Sequence, residues 1–151
     1  MLIKDKEVTY KLINDNIKPK TFEKNKYGEV FTPIKLIEEM YSKLPNEIWS
    51  NQNLKWFDPA VGIGNFMIVA YYNLMDNLTQ ITDENARSEH IIKNMLYMSE
   101  LNPNNTKVIK QIFGDTCNIY EGDTLKIDTV KLWDIEKFDI IVGNPPFNSA
   151  K

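Results

Sequence analysis

The sequence predicts an α/β protein built on a mostly parallel, doubly wound sheet. Short apolar runs alternate with segments of helical periodicity. The runs at 54–58, 96–99 and 138–143 are nearly continuous in apolar character, as expected of strands covered on both faces. The residues least expected of plain structure, Asp58, Glu100, Asp123 and Asn144, all fall where those strands and a third run end. Ligands of such sheets bind outside the carboxyl ends of the strands.

Taken in order, residues 1–26 read as a polar arm with some helical character. Its basic stretch, KDKEVTYKLINDNIKPKTFEKNK, is interleaved with acids and reads as solvated and partly flexible. Tyr27-Gly28-Glu29-Val30-Phe31-Thr32-Pro33 is turn-like. Thr32 and Pro33 are expected as N-cap and first residue of a helix, with Ile34, Ile37, Met40, Tyr41 and Leu44 on its apolar face. Pro45 and NEIWSNQN end that region. Leu54–Asp58 is the first strand. PAVGIG then leads into the strongly apolar helix NFMIVAYYNLMDNL, and DENARSEHIIKN forms another helix. Met95–Glu100 is the second strand, and Asn102-Pro103 opens the helix NPNNTKVIKQIF. NIYEGDTL holds a third strand and a loop, and FDIIVG is the fourth strand. Right-handed crossovers join strands in this arrangement.

The bulk numbers exclude several classes. At 151 residues, with 42% hydrophobic and 26% charged content, the chain resembles one ordinary soluble domain. No apolar run approaches a membrane span, and the start lacks the apolar core of a signal peptide. One cysteine, Cys117, forms no internal disulfide and has no Cys or His partner at metal spacing, so a reducing, cytoplasmic setting is expected. A net charge of −3 argues against this segment alone gripping a nucleic-acid backbone.

The motifs carry more. In DPAVGIGNF, Asp58 to Phe66, Gly62 and Gly64 leave room where the chain turns and a ligand approaches the backbone. The third glycine of a dinucleotide fingerprint is absent, and no Gly-Lys-Ser/Thr follows. Asp58 would repel a phosphate and suits an ammonium group. Glu100 sits at a ribose-binding position, where a carboxylate accepts both hydroxyl protons; alone it is an ordinary surface acid. Asp123 is placed to accept a bond from an adenine amino group; alone it is a common turn residue. Asn144-Pro145-Pro146-Phe147 is the sharpest signal. Prolines end the strand and stiffen the loop, fixing the Asn144 oxygen and the Pro145 carbonyl as two adjacent acceptors. An aromatic follows, so a planar group bearing an NH2 would be hydrogen-bonded and stacked. His90, Trp49, Trp56, Trp133 and the pair Tyr71-Tyr72 read as packing residues.

In this order, YGEVFTP, DPAVGIGNF, the strand-end Glu100, GDTL and NPPF resemble the S-adenosylmethionine-dependent N6-adenine DNA methyltransferases of restriction-modification systems. The motif order resembles their gamma class, and the resemblance covers residues 27–147. NPPF with a glycine loop is shared by several methyltransferase families, whereas YGEVFTP is more selective. The resemblance implies a Rossmann-like class I methyltransferase fold with S-adenosylmethionine as methyl donor, S-adenosylhomocysteine as product and no metal. It implies that Tyr27, Phe31, Thr32 and Pro33 close over the methionine end. Asp58, Pro59, Ala60, Gly62, Gly64 and Phe66 would surround the amino acid part and ribose. Glu100 would bind the ribose hydroxyls, with Leu101 beside the adenine ring, and Asp123 the adenine amino group, with Leu125 nearby. Asn144, Pro145, Pro146 and Phe147 would form the catalytic motif, with Asn144 also beside the cofactor.

Only about four of the family's seven strands are visible. The resemblance therefore implies a partial cofactor-binding domain over residues 27–151, an amino-terminal part of a larger enzyme or of a split protein. Double-stranded DNA would be gripped mainly by a carboxyl-terminal target-recognition region or a partner chain, and this segment alone would be a poor DNA methyltransferase. Two alternatives stay open: a methyltransferase acting on a protein glutamine or a ribosomal-RNA guanine, and a non-catalytic cofactor-binding module that needs a partner chain.

Overall fold

The structure, a computed structural model, describes residues 1–16 and 31–144. Strands β1 (Trp56–Asp58), β2 (Leu96–Glu100), β3 (Asn118–Glu121) and β4 (Ile140–Ile141) form one parallel sheet in the order β3-β2-β1-β4. Around it lie helices α1 (Lys6–Asp15), α2 (Ile34–Ser42), α3 (Asn65–Asn77), α4 (Glu84–Asn94), α5 (Pro103–Phe113) and α6 (Thr129–Trp133). The strand order reverses at β1, so the crevice between the tips of β1 and β4 is a topological switch point, where ligands of doubly wound sheets bind.

The sheet separates two cores because side chains alternate across it. Trp56, Leu96 and Met98 face the larger core, with Ile68, Leu74, Ile91 and Ile109 from the helices. Phe57 and Tyr97 face a smaller cluster with Ile135, Trp133 and Phe138, in which Phe57 and Phe138 stack at 4.6 Å. α3 is buried along Phe66–Tyr71 and again at Leu74, which explains its apolar character nearly all round. α5 begins as its residues dictate: the Asn102 side chain accepts the Asn104 N–H, and Pro103 occupies the first turn. Asp139 fastens β4 to the start of β1, its Oδ2 accepting the Lys55 N–H at 2.7 Å.

Four expectations are corrected. Pro33, not Thr32, is the N-cap of α2, and the helix makes no side-chain cap bond; the Thr32 hydroxyl is engaged elsewhere, as shown below. Residues 1–16 are not a solvated arm. Ile3 and Ile13 are wholly buried in the main core, and the Tyr72 hydroxyl donates to the Ile3 carbonyl at 2.6 Å. The apolar run at 138–143 yields only two paired residues, and Ile141 is 66% exposed, so this strand is not covered on both faces among the described residues. The short helix α6, capped by Asp128, has no counterpart in the expected elements because five residues carry too little periodicity.

Candidate functional site at the tips of β1 and β4

Asp58 ends β1 and is 1% exposed. Its Oδ1 accepts the Ala60 N–H at 3.0 Å, while its Oδ2 is buried with no partner among the described residues. Burial pushes this carboxyl from 3.8 up to about 7, and the neighbouring Glu100 pushes in the same direction against the Ala60 N–H. The chain leaving β4 lies directly on it. Gly143 has φ +142°, and a Cβ there would come within 2.5 Å of the Asp58 Oδ1. Only glycine serves at that position, for conformation and for space.

The glycine turn is fastened to β2. The Val61 N–H donates to the Ser99 carbonyl at 3.0 Å, and the Gly62 N–H donates to the Glu100 Oε1 at 2.9 Å. Gly62 has φ +60°, and a Cβ there would meet the Phe31 ring at 3.0 Å. The Glu100 Oε2 accepts from the Asn102 N–H at 3.0 Å and from the Asn105 Nδ2 at 3.2 Å. Three donors thus hold this buried carboxylate. Gly64 directly precedes α3, and its successor Asn65 donates from Nδ2 to the Thr32 carbonyl at 2.6 Å.

Asn144 donates from Nδ2 to the Thr32 Oγ1 at 3.0 Å. Phe31, Thr32, the glycine turn and Asn144 therefore meet, although they lie far apart in sequence. A cavity of about 380 Å³ opens here, lined by Met40, Tyr41, Asp58, Phe66, Gly143 and Asn144 among others. Pro59 and Ala60 also line it. Tyr41 is locked beside it, its hydroxyl donating to the Phe66 carbonyl at 2.8 Å.

Phe31, Thr32, Gly62, Gly64 and Glu100 adjoin this region without lining the cavity, and further expected residues also lie outside it. Pro33 is exposed at the start of α2. Asp123 is exposed and caps a short turn, its Oδ1 accepting the Leu125 N–H at 3.0 Å. That turn is nevertheless tied to the site. The Thr124 hydroxyl donates to the Pro59 carbonyl at 2.5 Å and so accepts from the Ser99 hydroxyl, 2.6 Å away. Leu101 is exposed, and Leu125 is 94% exposed. Tyr27, Pro145, Pro146 and Phe147 lie outside the described residues. Reading the sequence missed Met40, Tyr41, Asn65 and Gly143. Asn65 lies inside DPAVGIGNF and Gly143 directly precedes Asn144, and a polar residue straight after a glycine turn was the available signal; Tyr41 was assigned to packing, which it also does.

His90 packs as expected, 2.8 Å from the Gln52 carbonyl. Trp49 and Trp56 stack at 4.9 Å. Cys117 is buried, and burial pushes its thiol up to about 11. No group of three or more His, Cys, Asp or Glu side chains placed to hold a metal occurs among the described residues. No helix among them is long and apolar enough to cross a membrane.

A parallel sheet with this strand order, a glycine turn after its first strand and carboxylates at successive strand tips defines a Rossmann-like fold of the methyltransferase type. The chain belongs to the N-6 DNA methylase family, whose sequence profile matches residues 16–151. An uncharacterized adenine-specific methylase of Mycoplasma pneumoniae is 40% identical over 73 residues, which are 46% of this chain and 17% of that protein. Among solved structures, a modification subunit of a putative type I restriction enzyme from Vibrio vulnificus is similar in fold. Its TM-score is 0.59 at 18% identity, over 93% of this chain and 28% of that one. The chain thus spans less than a third of the length of either relative.

Proposed function

We propose that this chain carries the S-adenosylmethionine pocket and the catalytic asparagine of a DNA (adenine-N6)-methyltransferase of a restriction-modification system. The observation that carries the reading is Asp58. Asp58 lines the same cavity as Asn144, at the switch point of the sheet, and one of its buried oxygens has no partner among the described residues. An unpaired buried acceptor is costly unless a ligand satisfies it. A positively charged amino group suits it. The residues present therefore fit the cofactor. Asp58 would hold its ammonium group, Glu100 would keep lone pairs for the ribose hydroxyls beside its three protein donors, and Asp123 would take the adenine amino group.

Bound S-adenosylmethionine supplies an electrophilic sulfonium methyl. Asn144 accepts a hydrogen bond from N6 of an adenine turned out of the duplex. The Pro145 carbonyl is the second proposed acceptor and Phe147 the stacking face. N6 is a poor nucleophile because its lone pair is delocalised into the ring. Two such acceptors would favour its pyramidal form and would strengthen as positive charge develops there, so they would stabilise the transition state more than the ground state. Alignment accounts for the rest of the rate.

Family membership favours adenine over a protein glutamine or a ribosomal guanine. The methyltransferase domain is proposed over residues 27–151. DNA recognition is assigned to a target-recognition region or partner chain of the whole protein, in keeping with the net charge of −3. The test is Asn144→Ala in the whole protein. Methyl transfer to adenine in duplex DNA is expected to vanish, while the cofactor dissociation constant by calorimetry changes by no more than about threefold. Equal loss of both would remove Asn144 from the chemistry.

A further inference from the structure

We propose that Thr32 is a positioning residue that decides which end of the Asn144 amide faces the substrate. An amide has two ends of nearly equal size and opposite character. Its oxygen accepts and its NH2 donates. To accept from an exocyclic amino group, Asn144 must present Oδ1; a reversed amide would set NH2 against NH2. The loop that carries Asn144 follows a strand of two residues, so β4 alone holds it weakly. The restraint comes from the other end of the chain. The Asn144 Nδ2 donates to the Thr32 Oγ1 at 3.0 Å, which commits the nitrogen to Thr32 and places Oδ1 on the other branch of the amide.

Thr32 is itself well fixed. It is 8% exposed, and its carbonyl accepts the Asn65 Nδ2 at 2.6 Å. Asn65 is buried and stands at the first residue of α3, directly after Gly64. Threonine is branched at Cβ and has few side-chain rotamers, so the hydroxyl direction is well defined once the backbone is held. The same observation explains why Thr32 does not cap α2. Its hydroxyl serves the tip of β4, and the helix starts uncapped at Pro33.

This role rests on the proposed adenine methyltransferase reading, and the test separates the two. The whole protein is prepared with 15N-labelled asparagine, as wild type, Thr32→Val, Thr32→Ser and Asn144→Ala. In the wild type, one Asn144 side-chain amide proton is expected shifted downfield by its bond to Thr32. Thr32→Val should remove that shift and slow single-turnover methyl transfer on the order of 10- to 100-fold. The rate is read at saturating cofactor, so that a change in cofactor affinity does not enter it, and Thr32→Ser should restore both the shift and the rate. An unshifted amide in the wild type would mean that the hydroxyl donates to Oδ1, which overturns the proposal. So would an unchanged rate in Thr32→Val while Asn144→Ala is silent, and that result would leave the methyltransferase reading standing. Loss of cofactor affinity in both Thr32 variants would make Thr32 a pocket wall instead. Full transfer by Asn144→Ala would overturn the methyltransferase reading, and this role with it.

Discussion

Asp58 and Glu100 end neighbouring parallel strands and both are buried, yet the chain treats them differently. Glu100 is met by two backbone N–H groups and the Asn105 amide. Asp58 receives one backbone N–H, has an oxygen with no partner among the described residues, and is pressed by Gly143. A buried carboxylate with several donors acts as a brace. Here it ties the glycine turn after β1 to the start of α5. A buried carboxylate short of donors is an acceptor kept ready for something else, and the fold carries an energetic penalty for keeping it. Under the proposed function, the tip of β2 serves stability as well as binding, and the tip of β1 serves binding at the expense of stability.

The brace should fail hardest. Glu100→Ala strands two backbone donors and an amide in a buried place, so a stability loss on the order of 3 kcal/mol is expected in urea denaturation. Cofactor affinity should fall with it. An unchanged midpoint would mean that Glu100 braces nothing.

Asp58→Asn should move stability the other way. Folding raises this carboxyl from 3.8 to about 7. Between those values the folded state holds a proton that the unfolded state has released, so wild-type stability falls as pH rises from about 4 to about 7 and stays low above it. Removing the ionisable group should flatten that slope and add roughly 1–3 kcal/mol at pH 8. Under the proposed function, cofactor binding should weaken at least about tenfold, because the ammonium would lose a charged acceptor. A destabilised Asn variant would break the contrast between the two tips.

The smallest effect sharpens the same contrast. Gly143→Ala forces a methyl group to within 2.5 Å of the Asp58 Oδ1 at φ +142°. A loss of about 1–3 kcal/mol is expected from the strained backbone. Combined with Asp58→Asn, the two effects should not add, because the substituted atoms touch. Strict additivity in the double variant would show that Gly143 and Asp58 act independently.

Much of this was legible along the chain. The helices at 34–42, 65–77, 84–94 and 103–113 lie within the segments their apolar spacing marked, and Asn102-Pro103 opens α5 as its residue types require. Of the four strand-end polar residues, Asp58 and Asn144 line the cavity and Glu100 ends β2, bonded to the glycine turn. Asp123 lies two residues beyond β3, exposed. Thr32 shows where local reasoning stops. Thr-Pro before an apolar helix is a proper capping signal, but a partner 112 residues away offered the hydroxyl a better place. The amino-terminal segment shows the same limit, because its mixed charges hid the two isoleucines, Ile3 and Ile13, that the main core absorbs.

By itself the sequence determined the order of strands and helices, and the identity of the carboxylates and amide at their ends. Periodicity, capping residues and prolines act within a few residues, so they can be read locally. Only the tertiary structure decided that Glu100 meets three donors while an Asp58 oxygen meets none among the described residues, that Phe31 covers Gly62, and that Thr32 holds Asn144. Burial and pairing depend on which distant segments pack against a group, and packing sets how much water and how many donors each carboxylate keeps.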